Sequence, residues 1–140
     1  MSHDPTCVFC KIVKGEIPSF KIYEDEATFA FLDINPINPG HCLIVPKAHN
    51  GPTLMDCDPE AVAATAKTVQ KMAQAVQKAL NPDGINILQA NGPGAAQSVM
   101  HLHMHVVPRR LDDNVMMNWG LKPGDKAELA AIAEKIKAAL

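Results

Sequence analysis

Aromatic residues are scarce in this chain, which has one Trp, one Tyr and four Phe among its 140 residues. A hydrophobic core must therefore be built mainly from Ala, Val, Ile, Leu and Met. Apolar residues of all types make up 47% of the sequence, which is enough for a core without disulfide bonds. We predict a single domain that covers residues 1–140.

Long charged runs and long apolar runs are also missing. The formal net charge is -2, and no cluster of Lys or Arg offers an electrostatic footprint for a nucleic acid or an anionic membrane. No segment approaches the roughly 20 apolar residues of a membrane-spanning helix, and the N-terminal residues have no apolar core typical of a signal peptide. We therefore expect a cytoplasmic protein that binds neither nucleic acid nor membrane.

The chain has only four cysteines, which we expect to be reduced in the cytoplasm. Cys7 and Cys10 form a Cys-x-x-Cys pair, a pattern that suits zinc binding, redox chemistry or core packing. The order of the predicted elements does not match a thioredoxin-type redox motif. Cys42 and Cys57 are predicted to be buried thiols.

The hydrophobic pattern predicts an α+β fold with five strands and two helices. The strands are expected at residues 20–24, 28–32, 41–45, 85–90 and 99–108. A long amphipathic helix is expected from Pro59 to about Leu80, with Asp58 as its N-cap. A second helix is expected from Pro123 to the end of the sequence.

Three histidines alternate with apolar residues in HLHMHVV, residues 101–107. Side chains alternate between the two faces of a strand, so a strand here would carry all three imidazoles on one face: His101, His103 and His105. Three interpretations follow: incidental histidines on an edge strand, a metal site, or nucleophilic catalysis. Neighbouring histidines could bind one ion, whereas the outer pair would lie about 13 Å apart. Imidazole is also a good nucleophile at neutral pH because its reference pKa is near 6.5.

The loop before these histidines, QANGPGAAQS, is rich in glycine and alanine. Small residues let backbone amides approach an anion closely, and Asn91, Gln97 and Ser98 offer hydrogen bonds to a phosphate. The same composition suits an ordinary turn. The loop therefore predicts either an anion site or a simple connection.

The histidine pattern resembles that of the histidine-triad (HIT) family of nucleotidyl hydrolases and transferases. QSV stands just upstream of HLHMHVV, as in that family, and FCKIVKGEIPSFKIYEDEATFAFLDINPINPGHCLIVPKAH is similar to the family's N-terminal half. The likeness covers roughly residues 7–109 and is greatest to Hint-like and bacterial members. It implies an antiparallel sheet of about five strands with one long central helix and a C-terminal helix. It also implies a homodimer whose sheets join through the long helix and an edge strand.

The resemblance implies a catalytic role for four residues. The middle histidine of the family attacks the α-phosphorus of a nucleotide ester or phosphoramidate, which makes His103 the expected nucleophile. Water would then hydrolyse the nucleotidyl-phosphohistidine to a nucleoside monophosphate. His101 and His105 would flank the phosphate, and Ser98 would lie near the leaving group.

The resemblance also implies a nucleotide site for AMP or GMP and their phosphoramidates or esters. Asp33 would hold the ribose hydroxyls and Ile34 would lie beside the base. Without the resemblance, Asp33 is more simply interpreted as a turn former. The expected phosphate contacts come from Asn91, Gln97, Ser98, His103 and His105.

Bacterial members that have a Cys-x-x-Cys pair complete a structural zinc site with the histidine of PKAH and the first triad histidine. The ligands implied here are Cys7, Cys10, His49 and His101, the four N or S donors that zinc prefers. Zinc binding would give His101 an orienting role in place of acid–base chemistry.

The chain departs from the Hint-like branch in its C-terminal part. Trp119 and the predicted final helix stand where that branch has a tail with a tryptophan and paired prolines, so the choice of substrate stays open. The alternatives are a dinucleoside polyphosphate hydrolase, a zinc-containing nucleotide-binding module with little turnover, and a metalloenzyme that uses the histidine strand. Arg109 and Arg110 are expected to face solvent.

Overall fold

The computed structural model describes residues 2–117 and 120–140, so the comparison made at Trp119 lies outside the described residues. Five strands and three helices form within these ranges, which confirms the α+β class. The elements in chain order are α1 (Val8–Lys14), β1 (Lys21–Glu24), β2 (Thr28–Leu32), β3 (Cys42–Pro46), α2 (Pro59–Leu80), β4 (Gly84–Leu88), a 3₁₀ turn (Pro93–Ala95), β5 (Met104–Arg109) and α3 (Lys126–Ala138). The single-domain interpretation stays a prediction.

The five strands form one antiparallel sheet in the order β1-β2-β3-β5-β4. In the pairing of β3 with β5, Leu43 lies opposite His105 and Ile44 lies opposite Met104. Because neighbouring residues of a strand point to opposite faces, His105 shares a face with Leu43, and Met104 shares the other face with Ile44.

Helix α2 covers the face that carries Ile44. Its residues Val69, Met72 and Val76 pack against Ile44, Val106 and other buried side chains of the sheet. Pro59 occupies the first turn, where its missing N–H costs nothing. Asp58 stands at the predicted N-cap position, although its side chain makes no capping hydrogen bond.

Helix α1, which the sequence pattern did not predict, covers the opposite face. Its residues Phe9 and Cys10 are buried against the sheet side chains Phe31 and Leu43. Gly15 ends the helix in the left-handed region, at φ 80°, a conformation that glycine adopts without strain. The face that carries His105 is therefore covered by a helix rather than open to solvent.

Strand β5 begins at Met104, five residues later than predicted. Its pairing with β3 starts at Met104, and β4, which also ends earlier than predicted, pairs with it only as far as His105. His101 and His103 therefore precede the strand in a segment without a strand partner. The expectation that all three histidines lie within one strand is wrong for these two.

Helix α3 begins at Lys126 rather than at Pro123. Asp125 caps it, because its side chain accepts a hydrogen bond from the backbone N–H of Glu128 at 2.9 Å. Among the described residues, no helix combines the length and hydropathy that a bilayer crossing requires.

Candidate functional site

A cavity of about 330 Å³ opens between α1, the segment after β2 and the start of β5. Its polar lining includes Ser98, His103 and His105, and much of the remaining wall is apolar, with Phe9 and Phe31 among its residues. Asp33 and Ile34 also line it. Small-molecule sites usually have this form, a largely apolar cleft with a few convergent polar groups.

His103 is buried in the cavity wall, with 5% of its surface exposed. Its Nδ1 lies 2.8 Å from the carbonyl oxygen of His101. A carbonyl only accepts, so Nδ1 carries the proton and Nε2 keeps its lone pair. Burial lowers the pKa of His103 below its usual range, which favours the neutral ring. This is the form that a nucleophilic imidazole requires.

His105 takes its orientation from His41, a residue to which the sequence analysis gave no role in the site. The two rings meet through His41 Nε2 and His105 Nδ1, 2.8 Å apart. The backbone N–H of Ile37 donates to His41 Nδ1 at 3.0 Å, which leaves the His41 proton on Nε2. His41 therefore donates to His105, and a neutral His105 carries its own proton on Nε2.

Burial keeps both of these imidazoles neutral at pH 7. It lowers the pKa of His41, and it lowers the pKa of His105 to about 4, with a smaller contribution from the neighbouring histidines. The sequence did hold a signal for the pair. His41 lies two residues before Leu43, and Leu43 is the register partner of His105, so an antiparallel pairing of β3 with β5 brings both histidines to one face.

Asp33 lies beside this histidine pair. Its Oδ1 accepts a hydrogen bond from the backbone N–H of Asn35 at 2.8 Å, as a turn former does. Its Oδ2 lies 3.6 Å from His41 Nε2. The side chain is 19% exposed, so the carboxylate can still accept hydrogen bonds from a ligand in the cavity.

Asp33, His41 and His105 lie close enough together to be considered as metal ligands. A metal bound at His41 Nε2 needs the lone pair of that atom and a proton on Nδ1. The N–H of Ile37 already points at Nδ1, and two donors cannot face each other. The geometry therefore supports a hydrogen-bond relay at this position, in preference to the metalloenzyme interpretation.

A second cluster brings together the four predicted zinc ligands, whose donor atoms lie within 4.8 Å of one another: Cys7, Cys10, His49 and His101. Cys7 and Cys10 sulfur lie 3.5 and 3.6 Å from His101 Nδ1, Cys10 sulfur lies 3.5 Å from His49 Nδ1, and the two Nδ1 atoms lie 3.1 Å apart. Tetrahedral zinc with ordinary Zn–S and Zn–N bond lengths places such ligand atoms about 3.5 Å apart. The donor set and its spacing fit zinc.

The ring of His101 is committed to this cluster. Its Nε2 donates to the carbonyl oxygen of Pro46 at 2.8 Å, which leaves the Nδ1 lone pair for a metal. The residue is 1% exposed and its pKa is lowered to about 4 by burial. Neither ring nitrogen is free for a phosphate, so the geometry supports the orienting role. The carbonyl oxygen of His101 is the atom that reaches His103.

Two of the predicted phosphate contacts, Asn91 and Gln97, hold the loop instead of lining the cavity. Gln97 accepts from the N–H of Gly92 at 2.8 Å and donates to the carbonyl oxygens of Pro52 and Val99 at 2.5 and 3.0 Å. Asn91 accepts from the N–H of Leu54 at 2.7 Å. Ser98, in contrast, is exposed at the cavity wall.

The expectation that Arg109 and Arg110 face solvent is wrong for Arg109, the last residue of β5, which is half-buried. Arg109 donates to Asp113 at 2.7 Å and to Asn86 at 2.8 Å. Asp113 also accepts from Asn38 at 2.9 Å, and its pKa lies well below the usual range because of the Arg109 hydrogen bonds. Arg110 is exposed as expected, and its guanidinium donates at 2.6 Å to the carbonyl oxygens of Leu80, the last residue of α2, and of the C-cap residue Asn81.

Comparisons with known proteins agree with this fold and site. Residues 14–112 match the model of the HIT domain. The adenosine 5'-monophosphoramidase HNT1 of Saccharomyces cerevisiae is 38% identical over 138 residues, which are 98% of this chain and 84% of that protein. The adenylylsulfatase HINT3 of Arabidopsis thaliana is 45% identical over 116 residues, which are 83% of this chain. That match covers only 58% of the plant protein.

Among solved structures, a Zn-bound histidine triad family protein from Mycobacterium smegmatis is 40% identical. The superposition has a TM-score of 0.75 and covers 96% of this chain and 98% of that one. The superposition spans nearly the whole chain, and the family match covers more than half of the sequence. The chain belongs to the HIT family.

Proposed function

We propose that the protein is a nucleotidyl hydrolase that cleaves purine nucleoside phosphoramidates or phosphoesters through a nucleotidyl-phosphohistidine on His103. The observation that carries the proposal is the hydrogen bond from His103 Nδ1 to the carbonyl oxygen of His101, which leaves Nε2 free beside the cavity. Relatives named adenosine 5'-monophosphoramidase and adenylylsulfatase support a hydrolase that acts on nucleotides.

The reaction proceeds in two displacements at phosphorus. Nε2 of His103 attacks the α-phosphorus, a P–N bond forms to the ring, and the bond to the leaving amine or oxygen breaks as the leaving group takes up a proton from solvent. The ring becomes cationic, and its Nδ1–H stays bonded to the carbonyl oxygen of His101. Water then attacks the same phosphorus and loses a proton to solvent, and the P–N bond to the ring breaks. This step releases the nucleoside monophosphate and restores neutral His103.

His105 supplies a hydrogen bond to the reacting group. Because His41 donates to Nδ1 of His105, the Nε2–H of His105 is the group available to a phosphate oxygen. Ser98 is the exposed hydroxyl on the same wall and lies on the side of the leaving group. The contribution of His101 is positional, through its carbonyl oxygen.

The nucleoside occupies the apolar part of the cavity. Asp33 accepts hydrogen bonds from the ribose hydroxyls, and Ile34, whose side chain is 77% exposed, covers the base. Val8 and Ile12 of α1 line the same cavity and offer an apolar surface for a purine ring. AMP and GMP are therefore the products we propose.

We also propose that Cys7, Cys10, His49 and His101 hold a structural zinc ion in a cytoplasmic homodimer. Bound zinc would supply folding free energy by linking α1 to the segment that precedes β5. The same link would fix the position of α1 beside the proposed nucleophile. This helix carries Phe9, whose ring packs edge-on against His103 with the ring centroids 5.1 Å apart. The Zn-bound relative supports the metal identity.

The test is the release of AMP from adenosine 5'-phosphoramidate at neutral pH. We expect the unmutated protein to turn over and His103→Ala to lose at least about a thousandfold in kcat, as loss of a nucleophile does. His3→Ala, which removes a histidine outside the site, is the matched control. Equal turnover by the unmutated protein and His103→Ala would show that His103 is not the nucleophile.

A parallel assay with a diadenosine polyphosphate separates the alternatives. If only the diadenosine polyphosphate is cleaved, and His103→Ala abolishes the cleavage, then His103 is the nucleophile and the leaving group is a nucleotide. If neither substrate is cleaved but AMP binds equally to the unmutated protein and to His103→Ala, the protein is a binding module.

A further inference from the structure

Helix α3 stands apart from both faces of the sheet, and every one of its residues is exposed. Four apolar side chains follow a helical spacing along one side of it, and each exposes 46% or more of its surface: Leu129, Ile132, Ile136 and, just beyond the helix, Leu140. We call these four residues the arm stripe. A 13-residue helix is only marginally stable alone in water, so the arm stripe needs an apolar surface to cover it.

An apolar groove of about 350 Å³ lies between the C-terminal half of α2 and strands β1 to β3. We call it the α2 groove, and its lining is almost entirely apolar: Ile22, Leu32, Met72, Val76, Ala79 and Leu80. The chain leaves the sheet beside the α2 groove, because Arg110, the residue after β5, donates to the carbonyl oxygen of Leu80 in the groove wall. Each chain therefore presents both an uncovered apolar helix and an open apolar groove.

The total accessible surface shows how much of the chain is left uncovered. It is 9251 Å², whereas a compact monomer of this mass exposes roughly 7,100 Å². The excess of roughly 2,000 Å² is larger than the roughly 800 Å² that each partner buries in an interface of standard size. For two chains the excess doubles to roughly 4,000 Å², which falls in the range that an obligate dimer buries in total.

We propose that α3 is an exchanged arm, and that the arm stripe of each copy occupies the α2 groove of the other in a homodimer. Two arms and two grooves related by one two-fold axis satisfy each other and leave no open end for further assembly. A second copy is the occupant that the geometry favours, because α3 extends into solvent while the groove of its own chain stays open. This contact is additional to the one through the long helix and the edge strand that the family resemblance implies.

The test measures the dimer dissociation constant of the full chain by sedimentation equilibrium. Ile132→Glu places a charge in the arm stripe, and Ala79→Glu places one in the groove at an exposed helical position where glutamate is a good helix former. We expect each variant to raise the dissociation constant by more than about tenfold. Ala131→Glu, on the opposite side of α3, is the matched control and should leave the constant unchanged.

A mixing experiment separates exchange from docking within one chain. Ile132→Glu retains an intact groove and Ala79→Glu retains an intact arm, so a mixed dimer keeps one good contact. We expect the mixed dimer to be tighter than a dimer of either variant alone. No gain on mixing, a monomeric unmutated chain at every concentration, or equal weakening by Ala131→Glu would each overturn the proposal.

Discussion

The ring of His103 donates to the backbone carbonyl of His101 across 2.8 Å, while the ring of His101 points away from it, towards Cys7 and Cys10. His101 therefore belongs to two sites at once. Its side chain completes the cluster of cysteine and histidine donors, and its backbone fixes the tautomer of the proposed nucleophile. The position of the nucleophile depends on the integrity of that cluster.

Removal of the proposed zinc ion should destabilise the protein. We expect Cys10→Ser, or treatment of the unmutated protein with a strong chelator, to release bound zinc and lower the Tm by about 5–15 °C, since metal binding contributes to folding. Zinc content by mass spectrometry and thermal unfolding check this. Cys57→Ala removes a buried thiol outside the cluster, and we expect this variant to retain its zinc. A Cys10→Ser protein that retains a full equivalent of zinc would show that the ligand set is wrong.

Loss of His41 should act on the chemical step more than on substrate binding. His41→Ala removes the donor at His105 Nδ1, so His105 can place its proton on either nitrogen, and we expect kcat to fall by about 10- to 100-fold with a smaller change in KM. Steady-state rates with adenosine 5'-phosphoramidate check this, and His41→Gln, which can still donate, should recover part of the loss. Full kcat in His41→Ala would exclude the relay.

The hydrogen bonds between Asn38 and the Arg109–Asp113 pair should stabilise the segment that carries Asp33 and His41. Asn38 donates to both Asp113 and the carbonyl oxygen of Pro108, each at 2.9 Å. We expect Asn38→Ala to lower the free energy of unfolding by about 1–3 kcal/mol, because it removes partly buried hydrogen bonds to the Asp113 carboxylate and to the carbonyl oxygen of Pro108. We also expect it to weaken AMP binding.

Urea unfolding and calorimetric titration with AMP measure these two effects of Asn38→Ala. Asn50→Ala is the matched control, because Asn50 is exposed and, within residues 2–117 and 120–140, its side chain accepts a hydrogen bond only from Ser2. If both variants behaved alike, the contact between Asn38 and Asp113 would be unimportant for the site.

Stability should fall as the pH drops below neutrality. The pKa of His41 is lowered in the folded protein and that of His105 is about 4, whereas both titrate near 6.5 when unfolded. Between these values the unfolded chain binds more protons. The free energy of unfolding therefore decreases from about pH 6.5 downwards, by at most about 1.4 kcal/mol per pH unit for each histidine.

Urea unfolding at pH 7, 6 and 5 checks the effect of pH, and His105→Asn should reduce the slope. The same unfolding free energy at all three values would contradict the burial argument.

Local signals in the sequence were sufficient for α2 and for most of the strands. The bounds of α2 match the prediction because Pro59 marks its start and its apolar stripe continues to Leu80. Helix α1 has only seven residues, too few for a periodicity to stand out, and its burial depends on sheet residues distant in sequence. The start of β5 is likewise set by where β3 and β4 stop pairing with it.

The site required long-range information for a similar reason. Cys7 and His101 are 94 positions apart, and only the family resemblance joined them before the fold was known. The sequence identified Gln97 and Asn91 as polar, but their hydrogen bonds to the backbone depend on how the loop closes over Pro52 and Leu54. The role of His41 depends on strand register, which no short stretch of sequence reveals.

Residues 33–41 border two sites: Asp33 and Ile34 line the cavity, and Pro39 and Gly40 line the α2 groove. A side chain at position 40 would begin 2.3 Å from Leu80 Cδ1, and its φ of +97° is one that glycine tolerates, so this segment is held closely against α2. If nucleotide binding and docking of the proposed arm both shift this segment, the two binding events are thermodynamically coupled. If dimer formation changes the affinity for the nucleotide by some factor, nucleotide binding changes the dimer association constant by the same factor. Ligand concentration and protein concentration would then act on one common equilibrium.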